Sequence, residues 1–395
     1  MPDTYHALGL HMHQPPGNLK LLIEKANWDA NQIMLCYERP LKYLRQYHDV
    51  ARLHVGFSGI LLEQFRNPEI VQRYASIVDI PRMIHDYAAA DNLELIGMGY
   101  YHPIFPLIPT DDWHEQLHRG REIMTELFGR APKGFWPPEM AFAMEMVPYL
   151  VDAGYEYVVV DSVHVKPIEG PTTQCTPFKP YLAEYGGKQI TVIPRNRDIS
   201  NAQESGMDAG WFESEVRNKV SGCPPPRLVT TWSDGENGGW FRQTSEPSGF
   251  WGHFYAPFME KVRGGSIQPV LLSEYIREHP PQEKVWVQTG AWNVGSTSGY
   301  DFAQWAGSET QRRAIAEIVE VSRIYHEASA SLQRQTQIGL ADPEAERLLR
   351  EARELVLQAE TSCYLFWGDA WVNRVYEVTI PARDLLAKAR QRIQS

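Results

Sequence analysis

The run TTWSDGENGGWF, residues 230–241, closes an apolar stretch with two acids, Asp234 and Glu236, set among aromatic residues. Its Asp-Gly and Asn-Gly-Gly pairs suit a tight hairpin turn. A hairpin needs a second strand, however, and the following GWFRQTSEPSGFWGHF reads as an aromatic loop. Asp234 is therefore expected at the C-terminal end of a strand. A second acid, Glu139, follows two prolines in KGFWPPEMAF, which restrict its backbone. Taken singly, Glu139 is better explained as a favourable acid in a first helical turn. Two carboxyl groups from different strand ends, among Trp136, Trp232 and Trp240, are nevertheless what glycoside cleavage requires. One acid protonates the leaving oxygen, and the other attacks the anomeric carbon or activates water.

Histidines occupy two further strand ends. HMHQPP places His11 and His13 two apart, hence on one face of a strand, followed by Gln14. Inward hydrogen-bond donors, metal ligands and core histidines satisfied by backbone all fit that pattern. A metal site needs a third and fourth ligand, and no compact His/Asp cluster lies nearby. GMGYYHPIFPL carries His102 between prolines that stiffen its loop, with Gly97 and Gly99 placed for a sharp turn. A rigid turn with an incidental histidine explains it equally well.

These groups need a scaffold that brings strand ends together. Candidate strands are Tyr5–His11, Ala51–Ser58, Leu93–Gly99, Gly134–Pro138, Tyr155–Asp161, Gln189–Pro194 and Arg227–Ser233. Between several of them lie amphipathic helical patterns: ILLEQFRNPEIVQRYASIV, EQLHRGREIMTELF and AMEMVPYLVDAG. Such alternation implies an α/β fold with a mainly parallel sheet, and about seven strands suggests a closed, TIM-like (β/α) barrel. Catalytic groups in such barrels come from the C-terminal ends of strands. YLAEYGGKQITVIP reads as a hairpin around Gly186-Gly187. From about Thr310 the pattern turns helical, as in TQRRAIAEIVEVSRIYHEA, DPEAERLLREARELVLQAETSCYLFW and PARDLLAKARQRI. The expected organisation is a catalytic barrel over 1–305 and a helical bundle over 306–395, packed on the barrel.

Composition excludes several classes. The 395 residues are 43% hydrophobic and 22% charged, enough for a sizeable core. A net charge of −11 argues against nucleic-acid or anionic-membrane partners, which reward clustered Lys and Arg. No apolar run approaches the roughly 20 residues of a membrane span. MPDTYHALGL lacks a basic segment followed by an apolar one, so no secretory signal is read. Cys36, Cys175, Cys223 and Cys363 form no CxxC pair, and reduced thiols in a cytoplasmic protein are expected. The 12 Trp and 19 Tyr offer flat apolar faces with a polar edge, which suit sugar rings as well as a large core.

The motifs HMHQP (11–15), GMGYYHP (97–103), FWPPEM (135–140), SDGENGG (233–239) and TGAWN (289–293), in this order, resemble glycoside hydrolase family 57. SCYLFWGDAW (362–371) resembles the aromatic segment of that family's C-terminal helical region. The resemblance implies a seven-stranded β/α barrel with a helical bundle, acting with retention on α-glycosidic bonds such as those of α-1,4-glucans. It implies Glu139 as nucleophile and Asp234 as general acid/base. It further implies His11, His13 and His102 around the donor sugar, Trp292 and Trp367 as aromatic walls, and Asp301 and Glu236 as hydrogen-bonding acids. No metal and no organic cofactor are implied, and the partner is an oligo- or polysaccharide. On this division of labour Asp234 needs a raised pKa and Glu139 must stay ionised. Pro137-Pro138 stands where many relatives have WLPE or similar.

Two other classes compete. A metal-dependent polysaccharide deacetylase has a similar barrel but should show an Asp-Asp pair after strand one and an HxxxH helix. The first strand ends instead in HMHQP, and no such helix is read. A non-catalytic glucan-binding relative would normally lack one of the two acids, and both are present.

Overall fold

The computed structural model describes residues 3–238, 245–292 and 301–394. Its strands are β1 (Thr4–Met12), β2 (Leu53–Phe57), β3 (Leu93–Gly97), β4 (Gly134–Phe135), β5 (Tyr157–Asp161) and β6 (Val165–Pro167), then β7 (Tyr181–Tyr185), β8 (Lys188–Arg195), β9 (Arg227–Asp234), β10 (Ile267–Pro269) and β11 (Val285–Val287). β1 to β5 pair in chain order and β5 pairs with β8, all parallel. β9 runs parallel along the whole of β1, from Thr4↔Arg227 to His11↔Asp234. The seam between β8 and β9 is closed by Asn196 N donating to Thr230 O at 2.8 Å and Arg195 Nε to Trp232 O at 2.8 Å. The parallel strands β1–β5, β8 and β9 thus form the seven-stranded barrel, and each expected strand appears within a few residues of its expected bounds. The hairpin at Gly186-Gly187 is present as antiparallel β7–β8.

Side-chain alternation fills this barrel. Along β1, Tyr5 and Ala7 join the interior cluster, whereas Leu8, Leu10 and Met12 pack outward under the surrounding helices. Along β9, Leu228 and Trp232 face inward and Val229 outward. Trp232 and Trp136 stack inside the barrel with centroids 4.9 Å apart. Gly9 is required opposite them, because a Cβ there would lie 2.0 Å from the Trp232 ring. A period of two then dictates that His11 and Asp234 continue the inward series at the C-terminal mouth.

Several helices differ from expectation. ILLEQFRNPEIVQRYASIV divides into Gly59–Arg66 and Pro68–Tyr74, because Pro68 cannot donate and Asn67 caps the second helix through Glu69 N. Within the stretch expected as an aromatic loop, Phe250–Tyr255 forms a π-helical turn that leads into the helix Ala256–Val262. The C-terminal region contains the long helices Glu309–Gln337, Pro343–Ala359 and Asn373–Gln394. The segment ending in SCYLFW is not one helix: it breaks after Ala359 and resumes at Ser362–Phe366.

The bundle is joined to the barrel helix Thr110–Phe128 by buried polar groups. Asp112 accepts from Arg353 at 2.5 Å, Ser322 at 2.5 Å and His326 at 2.7 Å. Gln116 donates to Glu360 at 2.6 Å. Burial and the adjacent Asp112 charge push the Glu360 carboxyl well above its usual range, while Asp112 is held low by its donors despite burial. Glu360 is therefore the protonated member of this acid pair. Among the described residues no helix is long and apolar enough to cross a membrane.

The cysteine expectation needs correction. Cys175 and Cys223 form a disulfide, with Cα atoms 5.5 Å apart, while Cys36 and Cys363 are not disulfide-bonded. A separation of 48 residues leaves no local spacing signal from which to read that pairing. Alkylation of the denatured, unreduced protein should label two thiols, Cys36 and Cys363, and four after reduction; four labelled sites before reduction would contradict the bridge.

Candidate active site

Glu139 lies in the turn Pro138–Met140, directly after β4 and its inward-facing Trp136. It is not in the first turn of an α-helix, since the next helix, Met146–Asp152, begins later. Among the described residues the non-glycine positions with positive φ are His102 (59°), Glu139 (56°) and Met140 (52°). Such conformations persist only where surrounding contacts impose them. At Glu139 those contacts are Trp292 N donating to its carbonyl at 3.0 Å, and the Trp292 indole donating to Oε2 at 2.9 Å. Ser362 Oγ reaches Oε1 at 3.2 Å.

Asp234 ends β9 and meets His11 Nε2 at 2.8 Å through Oδ1. Its side chain is 34% exposed, that of His11 only 6%, so the acid faces the open mouth and the imidazole lies behind it. The His11 ring is stacked on Trp136 at 5.2 Å and meets the edge of Trp292 at 5.3 Å. Glu236, in the turn Gly235–Gly238, is buried and accepts from Tyr37 Oη at 2.8 Å; Gln14 Nε2 lies 3.5 Å from the same oxygen.

His13 and His102 stack face to face, centroids 3.9 Å apart and 7° from parallel. Ser58 Oγ accepts from Leu61 N, so its own proton is free to go to His13 Nδ1 at 2.8 Å. His13 Nε2 then donates to Cys363 Sγ at 3.2 Å. His102 Nδ1 lies 2.8 Å from Ser362 Oγ, and Ser362 N donates to the His102 carbonyl at 3.0 Å. With the Ser362 hydroxyl donating to Glu139, His102 carries its proton on Nδ1, and Nε2 is an acceptor. Burial holds both rings neutral, His13 at about 3 and His102 well below its ordinary value.

Glu139, expected to stay ionised, has a raised carboxyl pKa. Burial, opposed by His11 and aided by the Asp234 charge, lifts Glu139 from 4.5 to about 7. Burial and Asp234 likewise lift Glu236 to about 7.

Of the residues named from sequence, His11, His13, Gln14, His102, Trp136, Glu139, Asp234, Glu236 and Trp292 converge on this mouth. Trp136 is wholly buried, so it supports the His11 ring rather than offering a face to substrate. Trp367 is 54% exposed beside Trp371, with centroids 6.3 Å apart. Asp301 accepts from Ala303 N at 3.1 Å, just before a short helix. Trp240 lies outside the described residues. Gly97 and Gly99 serve close packing rather than a left-handed turn: a Cβ would fall 2.4 Å from the Tyr155 hydroxyl and 2.6 Å from Pro103, respectively.

Ser58, Tyr37, Arg195, Ser362 and Cys363 were not anticipated. For Arg195 a signal existed: it stands two residues beyond the inward Ile193, hence on the inner face at the mouth. Its guanidinium lies 5.6 Å from the Trp292 ring and 3.7 Å from Asp161. The HxxxH reading also needs correction. His114 and His118 do have that spacing on Thr110–Phe128, with rings stacked 3.9 Å apart. Among the described residues, however, no group of three or more His, Cys, Asp or Glu is arranged to hold a metal.

The model for glycosyl hydrolase family 57 matches residues 7–288. The chain belongs to that family. It is 26% identical over 331 residues to alpha-amylase 1 of Dictyoglomus thermophilum, covering 80% of this chain and 43% of the relative. It is 25% identical over 320 residues to the 4-alpha-glucanotransferase of Thermococcus litoralis, covering 79% and 43%. The chain thus spans less than half the length of these curated relatives. A solved GH57-type branching enzyme from Pyrococcus horikoshii superposes over 99% of this chain and 94% of that one, with a TM-score of 0.72 at 16% identity. At that identity the likeness shows the fold.

A carboxyl whose pKa is raised on folding adds stability at low pH and loses it as pH rises through the folded value. For Glu139 the window runs from about 4.5 to about 7. Glu139→Gln should therefore match the parent in thermal melts at pH 4 and exceed it at pH 9, by on the order of 3 kcal/mol. Equal differences at both pH values would show that Glu139 ionises freely.

Proposed function

We propose that this chain is a retaining α-glucan-active glycosidase or transglycosylase, with Glu139 as nucleophile and Asp234 as general acid/base. The observation that carries this reading is the convergence of Glu139, just after β4, and Asp234, ending β9, on one barrel mouth where each carboxyl acts electrostatically on His11. Glu139 is oriented by two donors, as a nucleophile requires. In its ionised form it attacks the anomeric carbon while Asp234 protonates the departing oxygen; Asp234 then takes a proton from the acceptor. Water as acceptor gives hydrolysis, and a sugar hydroxyl gives transfer. The acceptor of His102 at Nε2 and the Trp292 and Trp367 faces are suited to sugar hydroxyls and ring faces, respectively. A native disulfide persists in oxidising surroundings, so Cys175–Cys223 argues for such a compartment against the cytoplasmic one expected from cysteine spacing.

Incubation of the EDTA-treated protein with maltoheptaose should change the chain-length distribution. Longer products indicate transfer; only shorter ones with new reducing ends indicate hydrolysis. Glu139→Gln and Asp234→Asn should each lower the rate by at least about a hundredfold. An unchanged distribution with the parent protein would reject the α-1,4-glucan assignment.

The acid limb of the pH–rate profile should reflect ionisation of Glu139 near its value of about 7. Ser362→Ala removes a donor to the carboxylate and should move that limb to higher pH, whereas Ser362→Thr keeps it in place. A uniform loss of rate without displacement of the limb would leave Ser362 with a packing role only.

A further inference from the structure

We infer that His11 and Asp234 work as one acid, with a single proton held between His11 Nε2 and Asp234 Oδ1 serving as the proton given to the leaving oxygen. The inference rests on the reading of Asp234 as general acid and supplies what that reading lacks, a place for the proton before the reaction.

The geometry is specific. His11 and Asp234 are directly opposed in the β1–β9 register, so the ladder itself sets their 2.8 Å contact. The imidazole has little freedom to leave, being held against Trp136, the Trp292 edge and, at 6.0 Å, His102. Nδ1 is buried and has no hydrogen-bond partner among the described residues, which leaves Asp234 as the group engaged by the ring.

Proton counting then decides. An ionised Asp234 that accepts from a neutral His11 has nothing to donate, since the only ring proton would leave an imidazolate behind. Donation requires one more proton on the pair: imidazolium with carboxylate, or imidazole with carboxylic acid. The two forms differ only in where the proton lies along the contact. The groups facing His11 are Asp234 and Glu236 from β9 and its turn, Glu139 after β4, His13 on its own segment and His102 after β3. Arg195 of β8 also bears on the Asp234 side. The three acids favour a positive ring, and the two histidines are neutral. Consistently, His11 lies above its ordinary value: burial, the largest influence, lowers it, and Asp234, Glu139 and Glu236 more than compensate.

The step balances. As Glu139 Oε attacks the anomeric carbon, the bond to the glycosidic oxygen breaks, and that oxygen takes the bridging proton. Asp234 is left as carboxylate and His11 as neutral imidazole. Loss of the Glu139 charge in the ester weakens the hold on a positive ring and assists delivery. In the second half the acceptor oxygen attacks the anomeric carbon, the bond from that carbon to Glu139 Oε breaks to free the carboxylate, and the acceptor gives its proton to Asp234, which reloads the pair.

The test compares two donors: maltoheptaose, whose leaving group needs a proton, and a nitrophenyl α-maltooligoside, whose leaving group departs without one. His11→Asn should cost at least about tenfold more with maltoheptaose than with the nitrophenyl donor, and should move the alkaline limb to lower pH, because a lone carboxyl keeps a proton less well than the pair. Equal losses with both donors and an unmoved limb would reduce His11 to a sugar contact and overturn the inference. If the parent protein cleaves neither donor, the function reading and this inference fall together; if it cleaves both and the loss is uniform, only this inference falls. NMR of the full chain adds an arm that needs no His11 variant. The His11 imidazolium should persist to higher pH in the parent than in Asp234→Asn, and equal titration in both would also overturn the inference.

Discussion

Three carboxyl groups, Glu139, Asp234 and Glu236, share one end of the barrel, and a partly dry site cannot carry three unpaired negative charges. Much of the mouth is an answer to that constraint. His11 meets Asp234, Tyr37 donates to Glu236, and Trp292 and Ser362 donate to Glu139. The remaining strain appears as raised proton affinity at Glu139 and Glu236. Arg195, a nearby permanent cation, is drawn to Asp161 and lies beside the Trp292 ring. Neutral donors and raised proton affinity, rather than fixed ion pairs with Arg or Lys, thus balance Glu139 and Glu236.

The barrel contributes register more than shape. Because inward residues recur every second position, Tyr5, Ala7 and Gly9 lead to His11, and Leu228 and Trp232 lead to Asp234. The same rule takes Ile193 to Arg195. A one-residue slip in β1 would turn His11 outward and bring Leu10 or Met12 inward. The tight fit of Gly9 against Trp232 opposes such a slip by steric exclusion alone.

The strands were legible because buried parallel strands make short apolar runs bounded by turns, and the runs ending at His11, Glu139 and Asp234 named their own mouth residues. Period-two alternation could have added Arg195. The HxxxH spacing of His114 and His118 was also present in the sequence, overlooked among the amphipathic residues of its helix. Other features were not local. Ser362 meets Glu139 across 223 positions, and nothing in SCYLFW distinguishes a continuous helix from one broken before Ser362. The raised proton affinity of Glu139 was hidden for a similar reason: its burial behind Trp292 depends on chain segments that meet only in the fold.

The break between Ala359 and Ser362 places a late part of the chain in contact with its beginning. His13 and Cys363 are 350 positions apart, yet their side chains touch. During synthesis the strands of the barrel, and both acids, emerge well before the segment that supplies Ser362 and Cys363. The nascent barrel thus holds its acids without the hydroxyl that orients one of them. Completion of the mouth coincides with docking of the bundle, so the Glu139 carboxyl lacks this donor until the segment around Ser362 has been made and packed.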